Sequence, residues 1–232
     1  MIKSDIGINR PEVIFFDVNE TLLDLEPLKK SINKILNNNN ALGTLWFTTM
    51  LQYSLVTTVS KQYFDFGKIG AACLQMIAKN NNITITEIEA LNAVKPILSL
   101  QPHNEVKEAL KLLKKNNYKL VTLTNSSNYA IQQQLKNADL EEYFDQSISI
   151  EDIGKFKPDI DVYYWAARKM KITNTNCLLI AAHGWDIAGA LWAGWQGAFV
   201  ARKGQDLFPL APKPIINEPN LLDIAKILID LK

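Results

Sequence analysis

The segment VIFFDVNETLLD, residues 13–24, decides how this chain folds: an apolar run ends abruptly in Asp17, and Asn19, Glu20 and Thr21 follow at once. A strand that is apolar on both faces belongs in a parallel sheet covered on both sides, and ligands bind beyond the carboxyl ends of such strands. Asp17 therefore stands where chemistry would be done. Taken alone, an Asp at this place is equally well read as a residue that closes a strand by accepting hydrogen bonds from the amides that follow it.

The rest of the chain supplies matching pieces in a fixed order. KLVTLTN (119–125) reads as a second strand ending in Thr124 and Asn125, and NSSNYAIQQQLKNA continues as a helix with small polar residues at its start. Hydroxyl, amide and free backbone N–H groups converge there, as they do at helix N-termini. GKFKPD (154–159) puts Lys157 before Pro158, which suits the first turn of a helix over 158–170. CLLIAAHGWDIAGA (177–190) reads as a third apolar strand, ending in His183, Trp185 and Asp186.

Between Asp24 and Leu100 the alternation of strand and helix stops. Leu42, Leu45, Trp46, Met50 and Tyr53 recur at helical spacing, so this stretch reads as several helices. From Gln101 the rhythm resumes, with further strands near 147–150 and 197–202. The fold class is α/β: a doubly wound, Rossmann-like parallel sheet over 11–24 and 101–232, interrupted by a helical insertion over 25–100. The Asn-rich patches at 37–40 and 80–82 read as loop filler.

Composition narrows the function classes. With 232 residues, 47% of them hydrophobic, the chain can bury a sizeable core. Its 25 basic and 24 acidic residues leave a net charge of +1, and no basic stripe or acidic tail points to nucleic acid or a membrane surface. Cys73 and Cys177 lie in apolar settings outside any metal-ligand spacing, and the first residues, MIKSDIGINRPE, lack the apolar core of a signal peptide. A reduced, cytoplasmic protein is the expectation.

The order DxNxT, strand-TN, KP and strand-AAHGWD resembles the haloacid dehalogenase superfamily, and its spacing is similar to the branch of type II L-2-haloacid dehalogenases. The likeness runs from about Pro11 onward. It implies that the 25–100 insertion is a helical cap closing the site to bulk water. It also implies that Asp17 is the nucleophile, forming an aspartyl ester with carbon or an aspartyl phosphate. Lys157 matches the lysine that pairs with this nucleophile, Thr21 the threonine of the first motif, Thr124 and Asn125 the receptor for a substrate carboxylate, and Tyr163 a tyrosine near the nucleophile. Trp46, Phe47 and Trp185 are aromatic candidates for the substrate pocket, and homodimerisation through the cap is common among relatives.

Position 19 separates the two chemistries. Phosphatases of the superfamily carry a second Asp there as general acid, whereas Asn19 cannot give up and regain a proton; halide needs no proton to leave. Relatives that hold Mg²⁺ gather several acidic oxygens, because the hard cation wants them; AAHGWD offers Asp186 alone, with Lys157 already supplying positive charge. The expectation is dehalogenation of small 2-haloalkanoic acids without a metal. The alternative is phosphoryl transfer from a small phosphorylated metabolite, for which Mg²⁺ would be needed; a binding protein with a decayed site is a third reading.

The chain has two histidines. His103, in a turn before a helix, reads as structural. His183 would open onto the same rim as Asp17, and a neutral imidazole there suits the activation of water against an ester. Glu20 is the expected partner that fixes its tautomer, giving a His183/Glu20 dyad. One position departs from the better-known L-2-haloacid dehalogenases: they carry an Arg after a cap Trp, and here Trp46 is followed by Phe47.

Overall fold

β1 (Val13–Phe16) is buried along its whole length and lies at the centre of the sheet. In the computed structural model, which describes residues 9–231, it pairs in parallel with β2 (Lys119–Thr124) on one side and β4 (Cys177–Ala181) on the other. β3 (Gln146–Ser149), β5 (Gln196–Val200) and β6 (Ile216–Glu218) complete a six-stranded parallel sheet in the order β3-β2-β1-β4-β5-β6. The chain winds outward from β1 in both directions, so the crevice beyond β1 is the topological switch point at which doubly wound sheets bind ligands. Asp17, the residue after β1, is tied into that crevice by its amide, which donates to the Ile180 carbonyl at 3.1 Å.

Helices α5 (Val106–Lys115), α6 (Asn128–Asn137), α7 (Ile160–Met170), α8 (Gly184–Trp192) and α9 (Leu221–Ile229) accompany the strands. The strand and helix at 216–229 lie beyond the last element that the sequence reading assigned. Asn220 caps α9 by accepting from the Asp223 amide. The helix expected over 158–170 begins later, at Ile160. Asp159 is its N-cap, accepting from the Asp161 amide, and Pro158, joined to Lys157 by a cis peptide bond, precedes the cap.

Between β1 and β2 the chain forms α1 (Glu26–Ile35), α2 (Asn40–Val59), α3 (Phe66–Asn80) and α4 (Glu87–Val94), then a 3-10 turn over Lys95–Ser99. Each start has its own signal: Asn39 caps α2, Asp65 caps α3, and Thr86 with Glu89 forms a capping box on α4. The Asn-rich patches turn out to be punctuation. Asn37, Asn38 and Asn82 adopt left-handed backbone (φ 56°, 58° and 58°), which asparagine tolerates better than most residues.

The buried stripe of α2 is Trp46, Met50, Ser54 and Thr58, whereas Leu45 and Tyr53 face outward at 48% and 37% exposure. The helix is apolar nearly all round, so spacing alone did not single out its inner face. Among the described residues, no helix is long and apolar enough to cross a membrane.

Candidate active site

The turn after β1 carries the site. Leu22 and Leu23 donate their amides to the Val18 carbonyl at 2.9 and 3.1 Å, and the Glu20 amide donates to the Leu23 carbonyl at 2.9 Å. This tight turn brings Thr21 back behind Asp17. The Thr21 hydroxyl donates to Asp17 Oδ2 at 2.7 Å and accepts from the Ala182 amide at 2.8 Å, joining the ends of β1 and β4. Thr21, the threonine of the first motif, is fully buried and holds the carboxylate from behind.

Lys157 is 1% exposed, and its ammonium uses all three protons. It donates to Asp17 Oδ1 at 3.1 Å, Asp186 Oδ2 at 2.5 Å and the Leu123 carbonyl at 2.8 Å. Tyr163 donates to Asp186 Oδ1 at 2.6 Å. Tyr163 is thus a fully buried support for Asp186 rather than a substrate contact. The Lys157 amide in turn donates to Asn125 Oδ1 at 2.9 Å, while Asn125 Nδ2 is buried without a partner among the described residues. Thr124 serves its own turn, its hydroxyl accepting from the Ser126 amide at 3.1 Å.

Burial opposes charge on Asp17, but the Lys157 ammonium, His183 and the Thr21 hydroxyl outweigh it and hold the carboxyl well below the usual range. Lys157, desolvated yet flanked by Asp17 and Asp186, is pushed upward. Burial, with the nearby Asp17 charge, pushes Asp186 upward against the pull of Lys157. Tyr163 is driven far above its ordinary value by burial and by Asp186, so it remains a donor. The result is an ionised carboxylate at position 17 at neutral pH, as a nucleophile requires.

His183 Nδ1 lies 3.1 Å from Asp17 Oδ2, and its Nε2 is buried without a partner among the described residues. Its ring stacks with Trp185 at 5.0 Å and with Phe47 at 6.2 Å between centroids. The expected dyad with Glu20 does not form. Glu20 sits in left-handed backbone (φ 64°), and its carboxylate pairs with Lys29 at 3.0 Å. The turn that carries Thr21 behind Asp17 directs Glu20 elsewhere, and Asp17 takes the imidazole in its place.

Asp17, Asn19, Asn125 and His183 line a chamber of about 20 Å³ with Trp185; Phe47, Met50, Phe66 and Leu28 from the helical segment close it. Asn19 is fixed there, donating to Ser126 Oγ at 3.1 Å and accepting from Gln134 Nε2 at 2.9 Å. Trp46 is not a chamber residue: its Nε1 donates to the Gly70 carbonyl at 2.8 Å inside the helical segment. Of the neighbouring pair, Phe47 is the one brought to the site. Leu25, Leu28 and Phe47 also wall a second cavity of about 440 Å³, which holds Glu20, Lys29 and Lys203.

Met50, Ser126 and Gln134 carried no assignment to the site in the sequence. Ser126 had a signal in the small polar start of α6. Gln134 had none, because its neighbours Gln132 and Gln133 are the same residue.

The donor set does not fit a divalent cation. The Lys157 ammonium bridges the two carboxylates that such an ion would need, with Tyr163 on the remaining oxygen of Asp186. Among the described residues, no group of three or more His, Cys, Asp or Glu side chains could hold a metal ion.

A parallel sheet with a buried Asp, Lys and Asp joined at its switch point fits one class of enzyme. Residues 11–194 match the model of the haloacid dehalogenase-like hydrolases, and the chain belongs to that family. Within it, the chain is 25% identical over 219 residues to (S)-2-haloacid dehalogenase 2 of Pseudomonas sp. (strain CBS-3), covering 91% of this chain and 96% of that one. It is 26% identical over 220 residues to (S)-2-haloacid dehalogenase H-109 of Pseudomonas putida, covering 94% and 98%. Its fold is that of the L-2-haloacid dehalogenase of Xanthobacter autotrophicus with chloropropionic acid covalently bound, with a TM-score of 0.88, 20% identity, and coverage of 96% and 100%.

Proposed function

We propose that this hydrolase removes halide from small 2-haloalkanoic acids through a covalent ester on Asp17. The observation that carries the reading is the Asp17 carboxylate itself, held ionised by Lys157 and facing an apolar chamber in which Asn125 Nδ2 is a donor without a partner among the described residues. Asn125 would receive the substrate carboxylate, and the rings of Phe47 and Trp185 would offer positive edges to the leaving halide. The names of the similar enzymes support the substrate class.

In the first step the Asp17 carboxylate attacks the halogen-bearing carbon from the face opposite the halogen. The new C–O bond forms as the C–X bond breaks, halide leaves with the bonding pair, and the configuration at that carbon inverts. In the second step His183 Nε2 takes a proton from water, which attacks the Asp17 acyl carbon. Collapse of the tetrahedral intermediate breaks the acyl C–O bond, the departing 2-hydroxy acid takes the proton from His183, and the Asp17 carboxyl group, left holding the second water proton, releases it to solvent and returns to the carboxylate. The His183 Nδ1 proton, directed at Asp17 Oδ2, would stabilise the oxyanion. Lys157, bridging Asp17 and Asp186, supports chemistry without a metal. The segment 25–100 would act as a cap over the core formed by 11–24 and 101–232.

The test is halide release from chloro- and bromoacetate and from both enantiomers of 2-chloropropionate, with excess chelator, for wild type and Asp17→Asn. Release that survives chelation and disappears in the variant is the expected result. Absence of release from every acid, or equal release by Asp17→Asn, would refute the proposal.

A further inference from the structure

We infer that His103 and Arg202 are positioning residues for the nucleophile: they grip the carbonyls of the turn that presents Asp17. The inference rests on Asp17 being the reacting group. Three consecutive carbonyls of that turn are held by His103 and Arg202. His103 Nε2 lies 3.0 Å from the Glu20 oxygen, Arg202 Nη2 donates to the Thr21 oxygen at 2.9 Å, and the His103 amide donates to the Leu22 oxygen at 3.0 Å. Arg202 is itself anchored: its Nη1 pairs with Glu105 at 2.7 Å, and Glu105 accepts from the Leu221 amide at the start of α9.

These grips matter because Glu20 is held in left-handed backbone, which a residue with a Cβ adopts only when its surroundings enforce it. Relaxation of Glu20 would rotate the next peptide unit and carry Thr21 with it. The Thr21 hydroxyl is the link to chemistry, since it donates to Asp17 Oδ2 while accepting from Ala182. A carbonyl oxygen only accepts, so His103 Nε2 carries a proton in this contact, in the neutral and the charged ring alike. A glutamine amide at position 103 can present the same donor; alanine cannot.

The experiment compares wild type, His103→Ala, His103→Gln and Arg202→Lys. The steady-state rate of halide release is measured, together with titration of the Asp17 side-chain carbon by ¹³C NMR, on protein whose folding is verified by thermal melting. His103→Ala is expected to lower kcat by about 10- to 100-fold with KM nearly unchanged, the scale expected when a reacting group is displaced. The same variant should move the Asp17 titration upward. His103→Gln should restore both. Arg202→Lys keeps a charge for Glu105 but loses the two-pronged reach, and should lower kcat in the same way.

Wild-type kcat and an unshifted Asp17 titration in both His103→Ala and Arg202→Lys would overturn the inference. So would equal impairment in His103→Ala and His103→Gln, which would mark the ring as packing only. If wild type releases no halide, the dehalogenase reading fails by itself, and the Asp17 titration alone decides on positioning.

Discussion

Replacing Lys157 with Met should make stability fall more steeply as pH rises above the carboxylate range. The ammonium lies 3.1 Å from one buried carboxylate and 2.5 Å from another. At an effective dielectric near 20, each attraction is about 5–7 kcal/mol before desolvation is subtracted. Breaking a buried ion pair by removing one partner costs about 3–5 kcal/mol net, because the other charge remains buried. The wild-type Asp17 is held below its unfolded value, so its contribution is present above the unfolded carboxylate range and lost as pH falls toward the folded value. Asp186, raised already in the wild type, contributes with the opposite sign; without Lys157 burial dominates both groups, so Asp17 is raised and Asp186 is raised further. Their contribution is then present below the unfolded range near pH 4 and lost as pH rises, by up to about 1.4 kcal/mol per pH unit for each group. Urea unfolding followed by tryptophan fluorescence between about pH 5 and pH 8 reads this directly. Lys157→Met should lose several kcal/mol against wild type near pH 8 and recover part of it on acidification. A cost under about 1 kcal/mol near pH 8, or a pH profile parallel to wild type, would refute the reasoning.

Two further expectations concern the chamber. His183→Asn removes the base but leaves Asp17, so one equivalent of halide should be released per chain, after which turnover slows by about 10²- to 10⁴-fold and Asp17 carries the acyl adduct by peptide mass spectrometry; normal turnover without adduct would assign water activation elsewhere. Phe47→Ala removes a side chain shared by the chamber and the larger cavity beside it, so the kcat/KM ratio for 2-bromohexanoate over bromoacetate should rise about tenfold; an unchanged ratio would mean that Leu25 and Leu28 alone keep the cavities apart.

What the sequence disclosed and what it withheld follow a physical division. The apolar runs ending in Asp17, Asn125 and Asp186 marked the sheet and the rim, because buried parallel strands leave little choice of residue. Lys157 was placed beside Asp17 by resemblance, and the two carboxylates share its ammonium in the fold. The direction in which a side chain points was less legible. Thr21 and Tyr163 stand behind the carboxylates they were expected to accompany, and Glu20, next to Thr21 in sequence, is turned away by one left-handed residue. In α2 the apolar surplus concealed the buried face, so spacing alone did not tell Phe47, which reaches the chamber, from Trp46, which does not. His103 read as structural from its turn; its long-range contact with the Glu20 carbonyl depends on how the loop before α5 meets the turn after β1, which no local pattern encodes.

The Thr21 hydroxyl has a consequence beyond its two bonds. Its oxygen is engaged by the Ala182 amide, so its hydrogen has a single direction open to it, toward Asp17. Threonine is also stiff about χ1. In the proposed cycle, water around a free carboxylate would have to rearrange each time the charge passed into an ester and returned, whereas this dipole stays put. The ordering was completed when the chain folded, and the reaction cycle is spared from repeating it.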